Sequence, residues 1–512
     1  MSKMITFIVV VAVFFIASPA MLAQNGLTEL GKSIFFDNIS SPDWMSCSTC
    51  HAPQVGWTGP IPGINKHGAV YRGAVPRRFG NRKPPSAGYA TLSPLFDYDD
   101  SEDLFFGGNF WDGRATGWEL GNPAADQALG PFLNPVEQNN PDKLAVLEQI
   151  ASSKYSYLWE ETWGAPINLS NVDQEYGRVG LSIAAFEGSA EVNQFTSKYD
   201  YYLAGEVSLT EQEMEGLDLF EGQAMCSNCH ISEPGLNGEP PLFTDFTFDN
   251  LGVPKNPENP FYDMNKVYLD NGDPINPSGD DWIDLGLGGF LRQLADLSNQ
   301  GWRSSLYVTD ALKNMDNSVL LEKADDNDGK QKVPTLRNVD KRNGNNFPKA
   351  YAHNGYFKSL EEIVHFYNTR DVESWPDPEV PENVNTEELG NLGLDANEEA
   401  ALVAFMKTLS DGYDPNSMAM SQPKSGAAAL QVTGPNPFNP ETNFLYTVSA
   451  PGNVKVEIFN ITGQRMAILV DDWKPAGDYP LKWNAEQYPS GIYFIRLSTN
   501  RDALVKKVSL IK

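Results

Sequence analysis

Cysteine and histidine are scarce in this 512-residue chain, which has four of the first and five of the second. So few cysteines exclude a disulfide-stapled scaffold, and so few histidines leave little choice of metal ligands. Positive charge is short as well. Against 67 Asp and Glu stand 38 Lys and Arg, a net charge of −29, which makes nucleic acid a poor partner. Such an acidic surface serves solubility or steers a basic partner protein. Outside residues 5–16 no apolar run approaches membrane-spanning length.

What is present is concentrated. All four cysteines fall in two signatures of one pattern, Cys47-Ser48-Thr49-Cys50-His51 and Cys226-Ser227-Asn228-Cys229-His230. This is the attachment pattern of haem c, in which two thioethers fix the porphyrin and the next histidine ligates its iron. A zinc site would instead gather both pairs around one ion, with no need of a histidine after each. The pattern predicts two covalently bound haem c groups with His51 and His230 as iron ligands, one in each of two domains.

Residues 1–23 read as an export signal, with Lys3, the apolar run and a small residue at Ala20 or Ala23 for cleavage. Export to the periplasm suits haem c, which is attached outside the cytoplasm in bacteria. Residues 24–205 and 206–413 are expected to be two haem domains, mainly helical with long irregular loops. An imperfect duplication relates them. Leu27-Thr28-Glu29-Leu30-Gly31 leads through Phe35-Phe36 to the first motif, and Leu209-Thr210-Glu211 leads through Gly216, Leu219 and Phe220 to the second. Thr210 and Glu213 form a capping box ahead of Met214, Leu217 and Phe220 at helical spacing. Another capped helix is expected over 395–409.

Small polar residues with Pro415 and Pro423 mark 414–429 as a linker. From 430 to 512 the period changes to two, as in Val454, Val456 and Ile458 alternating with Lys455 and Glu457. Turn signals near 451, 462, 476 and 490 divide about seven short strands, the pattern of an Ig-like antiparallel β-sandwich. It holds no His or Cys, so haem chemistry is not its task.

Three histidines remain: His67, His353 and His365. His67 lies in the Gly-rich segment 63–68, from which a loop can reach the open face of the first haem; a surface or core histidine is the plainer reading. Peroxide chemistry needs a group that takes a proton from one oxygen and returns it to the other. A carboxylate in a dry pocket does both, and a neighbouring amide orients the peroxide. Glu137 and Gln127 suit these roles; a solvated Glu and Gln is the bland alternative.

The tail resembles the C-terminal sorting domain of type IX secretion substrates through Pro435-Asn436-Pro437-Phe438-Asn439-Pro440, residues 456–463 and Ser490-Gly491-Ile492-Tyr493. That resemblance implies passage across the outer membrane by the type IX machinery, with release or surface attachment. Residues 27–409 resemble the bacterial dihaem cytochrome c peroxidase/MauG family. The matching stretches are Leu30-Gly31-Lys32 to Phe36, both haem motifs, 110–114, 127–137, 243–246, 250–254, 333–338, and His353-Asn354-Gly355 through Glu361-Glu362 to Phe366-Tyr367.

By this resemblance the first haem reacts with hydrogen peroxide and the second receives electrons from a cytochrome c or cupredoxin-like protein. Glu137 falls on the distal acid/base, Gln127 on its polar neighbour, Trp111 between the haems and His67 on a displaceable distal ligand. Arg114 holds a haem propionate or forms a structural salt bridge. A calcium ion is common between the haems, with Asn81 as the nearest side chain, and homodimers are common in the family. The reaction implied is reduction of peroxide to water. The alternatives are MauG-like oxidation of a protein or organic substrate, and electron transfer without turnover. The segment between Arg114 and Gln127 is longer than in the shorter peroxidases. A methionine usually ligating the second haem is expected just before His353, where Ala352 stands. Tyr351 or His353 would replace it and lower that haem's potential. Residues 325–329 fail as an EF-hand start and read as a solvated acidic loop.

Overall fold

Helix Pro19–Phe36 crosses helix Val172–Glu187 at Gly31, where an added β-carbon would lie 1.8 Å from the Ser182 carbonyl oxygen. Helix Glu211–Glu221 meets helix Ala396–Lys407 in the same way: a β-carbon on Gly216 would lie 2.0 Å from the Ala401 carbonyl oxygen. The duplication in the sequence is therefore a repeated packing device, a glycine that lets two backbones touch just ahead of each cysteine motif. Reciprocal capping boxes start two of these helices, Thr210 with Glu213 and Asp395 with Glu398.

This computed structural model describes residues 19–235, 239–344, 346–415, 429–448, 452–460, 464–475, 477–499 and 503–512. The apolar run of the expected export signal, most of the expected linker and the turn residues 451, 462 and 476 lie outside them. Among the described residues no helix is long and apolar enough to cross a membrane.

Residues through Tyr413 form one unit and Asp414–Lys512 a second. In the first, each cysteine motif packs on its own apolar cluster. Leu30, Phe35, Trp159, Ile183 and Phe186 gather beside Cys47, and Leu217, Phe220, Phe243, Phe357 and Phe405 gather beside Cys226. Fully burying one such side chain stabilises by roughly 1.5–3 kcal/mol. A third cluster joins Phe96, Phe105 and Trp118 to Phe248, Leu291 and Leu320. That cluster spans the boundary expected at 205/206, so the two haem segments are welded within one unit. The fold there is mainly helical, with long loops between helices.

Among its described residues the second unit contains seven strands in two antiparallel sheets. One sheet runs in the order Ala503–Leu510, Gly491–Ser498, Gly452–Asn460, Arg465–Lys474; the other in the order Ala429–Val432, Glu441–Val448, Gly477–Asn484. All but the first strand have eight to ten residues, longer than the turn spacing suggested. Phe444 and Tyr446 from one sheet share a cluster with Val456, Ile458, Ile495 and Val508 from the other.

Candidate active site: two cysteine-lined cavities

Both motifs open on a 3-10 turn, Cys47–Thr49 and Cys226–Asn228, which turns the two cysteines and the histidine toward one side. Cys47, Cys50 and His51 line one cavity; Cys226, Cys229 and His230 line another. The separation excludes a single zinc site built from both pairs. All four thiols are free, and burial pushes Cys47, Cys226 and Cys229 up to about 12 and Cys50 higher still.

Each histidine is oriented by the backbone. His51 Nδ1 bonds the Trp57 carbonyl at 3.1 Å, and His230 Nδ1 bonds the Phe243 carbonyl at 2.8 Å. A carbonyl partner keeps the proton on Nδ1 and leaves Nε2 as the lone-pair donor. Burial lowers His51 to about 4 and lowers His230 too, so both rings are neutral. Two thiols and one neutral imidazole on the wall of each cavity fit a thioether-bound haem.

Gln127 and Glu137 both line the first cavity. Helix Pro123–Leu133 carries Gln127, and the turn after it presents Glu137. Asn134 builds that turn: its carbonyl accepts from the Glu137 amide and its side chain donates to Glu137 Oε2 at 2.7 Å. Burial raises the Glu137 pKa, opposed by the Asn134 bond and by Arg114. Glu187, the last residue of helix Val172–Glu187, also faces this cavity and burial pushes it up to about 8. Glu187 Oε2 and Gln138 Oε1 have no hydrogen-bond partner among the described residues. Nothing in the motif spacing pointed to Glu187.

Some expected positions differ. His67 is exposed, pairs with Glu258 at 3.1 Å and lies outside the cavity wall, because it ends the short helix Pro62–Lys66 facing solvent. Arg114 lines the cavity but donates to Asp112 at 2.6 Å and stacks over Phe110, so its salt bridge is made within the protein. Asn81 lines the same cavity, and its carbonyl accepts from Asn259. No group of three or more His, Cys, Asp or Glu arranged for a metal occurs among the described residues. The acidic loop is not merely solvated, since Asp325 and Asp328 both pair with Arg292.

The second cavity holds Tyr351, Ala352 and His353 on its wall. The Tyr351 hydroxyl is already engaged, with Arg342 at 3.3 Å and Asp340 at 3.5 Å. His353 Nε2 is buried without a hydrogen bond, 3.8 Å from Glu379. Tyr367 was missed as a ligand candidate. Leu360, Ile363, Val364 and Tyr367 all line this cavity, the i, i+3, i+4, i+7 face of helix Leu360–Thr369. Tyr367 is half-buried, its pKa raised by burial and by Asp249, Cys226 and Cys229, and its hydroxyl has no hydrogen bond among the described residues. A free phenol aimed into a cysteine-lined cavity is a better oxygen donor than the engaged Tyr351. That helical spacing was the signal in the sequence.

Trp111 lines both cavities. Its indole Nε1 donates to the Lys83 carbonyl at 2.9 Å, its own carbonyl accepts from the Lys332 amide at 2.7 Å, and its ring lies edge-on to His353. The Lys83 amide in turn donates to the His353 carbonyl at 2.8 Å. Burial lowers Lys83 to about 8 and Lys332 to about 7, and puts Lys349 well below its usual value.

Residues 25–208 match the model of a family described as di-haem cytochrome c peroxidase, and residues 435–512 match that of a secretion system C-terminal sorting domain. The chain is 31% identical over 416 residues to a methylamine utilization protein MauG of Paracoccus denitrificans, covering 78% of this chain and 92% of that protein. It is 27% identical over 398 residues to a cytochrome-c peroxidase IdrP2 of Denitromonas iodatirespirans, covering 77% and 84%. Among solved structures it resembles the diheme peroxidase BthA of Burkholderia thailandensis at 27% identity, with TM-score 0.58, covering 78% and 88%.

Proposed function

The chain belongs to the di-haem cytochrome c peroxidase/MauG family, and from that premise we propose that it is a secreted enzyme reducing hydrogen peroxide to water with electrons from a small cytochrome c or cupredoxin-like protein. One turnover takes up two electrons and two protons and releases two waters. The attached haems supply the redox chemistry; the chain supplies orientation, protons and an electron route.

The observation that carries this reading is Glu137. It is a carboxyl held by Asn134, with raised proton affinity, on the lining of the cavity of Cys47, Cys50 and His51, which Gln127 also lines. Glu137 takes a proton from one peroxide oxygen and returns it to the other, while Gln127 orients the molecule. Trp111, on the wall of both cavities, is the electron bridge. We read the C-terminal strands as an Ig-like sorting sandwich that takes the enzyme to the cell surface or beyond, supported by the match over 435–512.

Tyr367 favours a second reading. An oxygen ligand on the second haem lowers its potential and favours MauG-like, peroxide-dependent oxidation of a protein or organic substrate. The test uses haem-loaded protein and follows peroxide consumption with reduced cytochrome c as donor. Glu137→Gln is expected to lower turnover by about 10²-fold or more. Undiminished turnover would remove Glu137 from the chemistry. Peroxide consumption that needs an organic substrate and ignores the cytochrome would select the second reading.

A further inference from the structure

Lys83, Lys332 and Lys349 line the second cavity, and none forms an ion pair among the described residues, in a chain of net charge −29. Lys349 is buried, its ammonium held by the carbonyls of Asn338 at 2.7 Å and of Val55 and Lys341 at 3.1 Å. Lys332 donates to Ser93 Oγ at 2.5 Å and to the Gly108 carbonyl, with the Phe246 ring 5.2 Å away. Lys83 has only long contacts, 3.3 Å to the Pro84 carbonyl and 3.4 Å to Thr58 Oγ1, and it lines the first cavity as well. Arg337, on the same wall, differs: Asp200 pairs with it at 2.8 and 3.0 Å.

Two of the three lysines belong to the duplication. Lys83-Pro84-Pro85-Ser86 and Lys332-Val333-Pro334-Thr335 share the pattern Lys-x-Pro-Ser/Thr, and the carbonyls of Pro85 and Pro334 lie beside His51 and His230. The same two lysine backbones grip Trp111 from its indole and from its carbonyl. Lys83 therefore lies on the wall of both cavities, while Lys332 and Lys349 line the second.

A buried ammonium is costly without an anion. Neutral carbonyls and hydroxyls satisfy its protons but leave its charge. The occupant expected in each cavity carries negative charge of its own, since the porphyrin of haem c bears propionate carboxylates. We infer that Lys83, Lys332 and Lys349 form a counter-charge seam for haem propionates, raising the reduction potential of the haems they face. Positive charge near a haem favours the reduced, less positive iron, which offsets the lowering expected from a tyrosine oxygen. The inference rests on two attached haems and not on peroxide turnover.

The test is spectroelectrochemical titration of full-length, haem-loaded protein. Lys83→Met, Lys332→Met and Lys349→Met are compared singly with wild type, with the matching Lys→Arg variants and with Lys266→Met, whose side chain is 77% exposed. At least one haem midpoint is expected to fall by about 59 mV or more in a Met variant, tenfold in a one-electron equilibrium constant. The Arg variants are expected to stay near wild type. If no haem-loaded Met variant moves a midpoint further than Lys266→Met, the seam does not exist. Resonance Raman spectra of the wild type supply the independent arm should the variants fail to load haem. Propionate bending modes of strongly hydrogen-bonded carboxylates are expected, and modes of free, solvated carboxylates would overturn the inference. Neither readout needs peroxide, so a failed Glu137 test leaves this one intact.

Discussion

The indole of Trp111 donates to the backbone carbonyl of Lys83 at 2.9 Å, fixing an aromatic ring in the wall that both cavities share. The Lys83 amide donates in turn to the His353 carbonyl, so hydrogen bonds join the ring, the lysine and the second cavity's wall. Trp111→Phe keeps an aromatic ring but loses that bond. Electron transfer between the haems should slow by about tenfold or more, the scale of ~1.4 kcal/mol in a barrier. Stopped-flow reduction of the first haem through the second measures this at full haem content; an unchanged rate would move the route elsewhere.

In its proposed role Glu137 must be ionised to accept a proton from peroxide. Burial raises its pKa above the ordinary 4.5, so the reactive form is lost earlier on acidification. The peroxide rate should be full above that raised value and fall as pH drops through it. Glu137→Gln should abolish this acid limb in a pH profile of turnover.

Glu187 offers a stability test with a definite sign. Pushed to about 8 in the folded state, it keeps its proton there, whereas unfolded it ionises near 4.5. The folded chain binds more protons between those values, so this residue's contribution to stability falls as pH rises from about 4.5 to about 8. Glu187→Gln should melt like wild type at pH near 4 and several degrees higher near pH 8. A gain that does not change with pH would show that Glu187 titrates in the folded protein as it does in the unfolded chain.

Tyr367→Met should raise the second haem's potential and give a methionine-ligated spectrum, because thioether ligation favours the reduced iron. Tyr351→Phe should leave that haem's spectrum as it is. The reverse pattern in low-temperature EPR and redox titration would return the ligand role to Tyr351.

The two contact glycines predict parallel losses. Gly31→Ala and Gly216→Ala place a methyl group against the carbonyls of Ser182 and Ala401, and each should destabilise by about 1–3 kcal/mol or more. Urea unfolding measures the loss. Each variant should release order around its own haem first, seen as a change in that haem's absorption.

Much of this was legible in sequence because the chemistry is local. Two cysteines three apart and a histidine after them specify an attachment site whatever surrounds them. Thr210 with Glu213 and Asp395 with Glu398 cap helices within four residues. Alternation over 454–458 marks a strand on its own. The places of His67 and Tyr367 could not be read that way, since a side chain's destination depends on where its element packs. His67 ends a short surface helix, while Tyr367 completes the cavity-facing stripe of a helix whose Phe366, Asn368 and Thr369 are buried elsewhere in the fold.

The sequence by itself determined two haem sites, a helical duplication and a separate β-rich tail, because each is written in short-range spacing. Only the tertiary structure decided which groups meet around the cavities. Glu187, Tyr367 and the three lysines come from segments far apart in the chain, and burial gives each its altered proton affinity. Burial is a property of packing, and no local pattern of residues carries it.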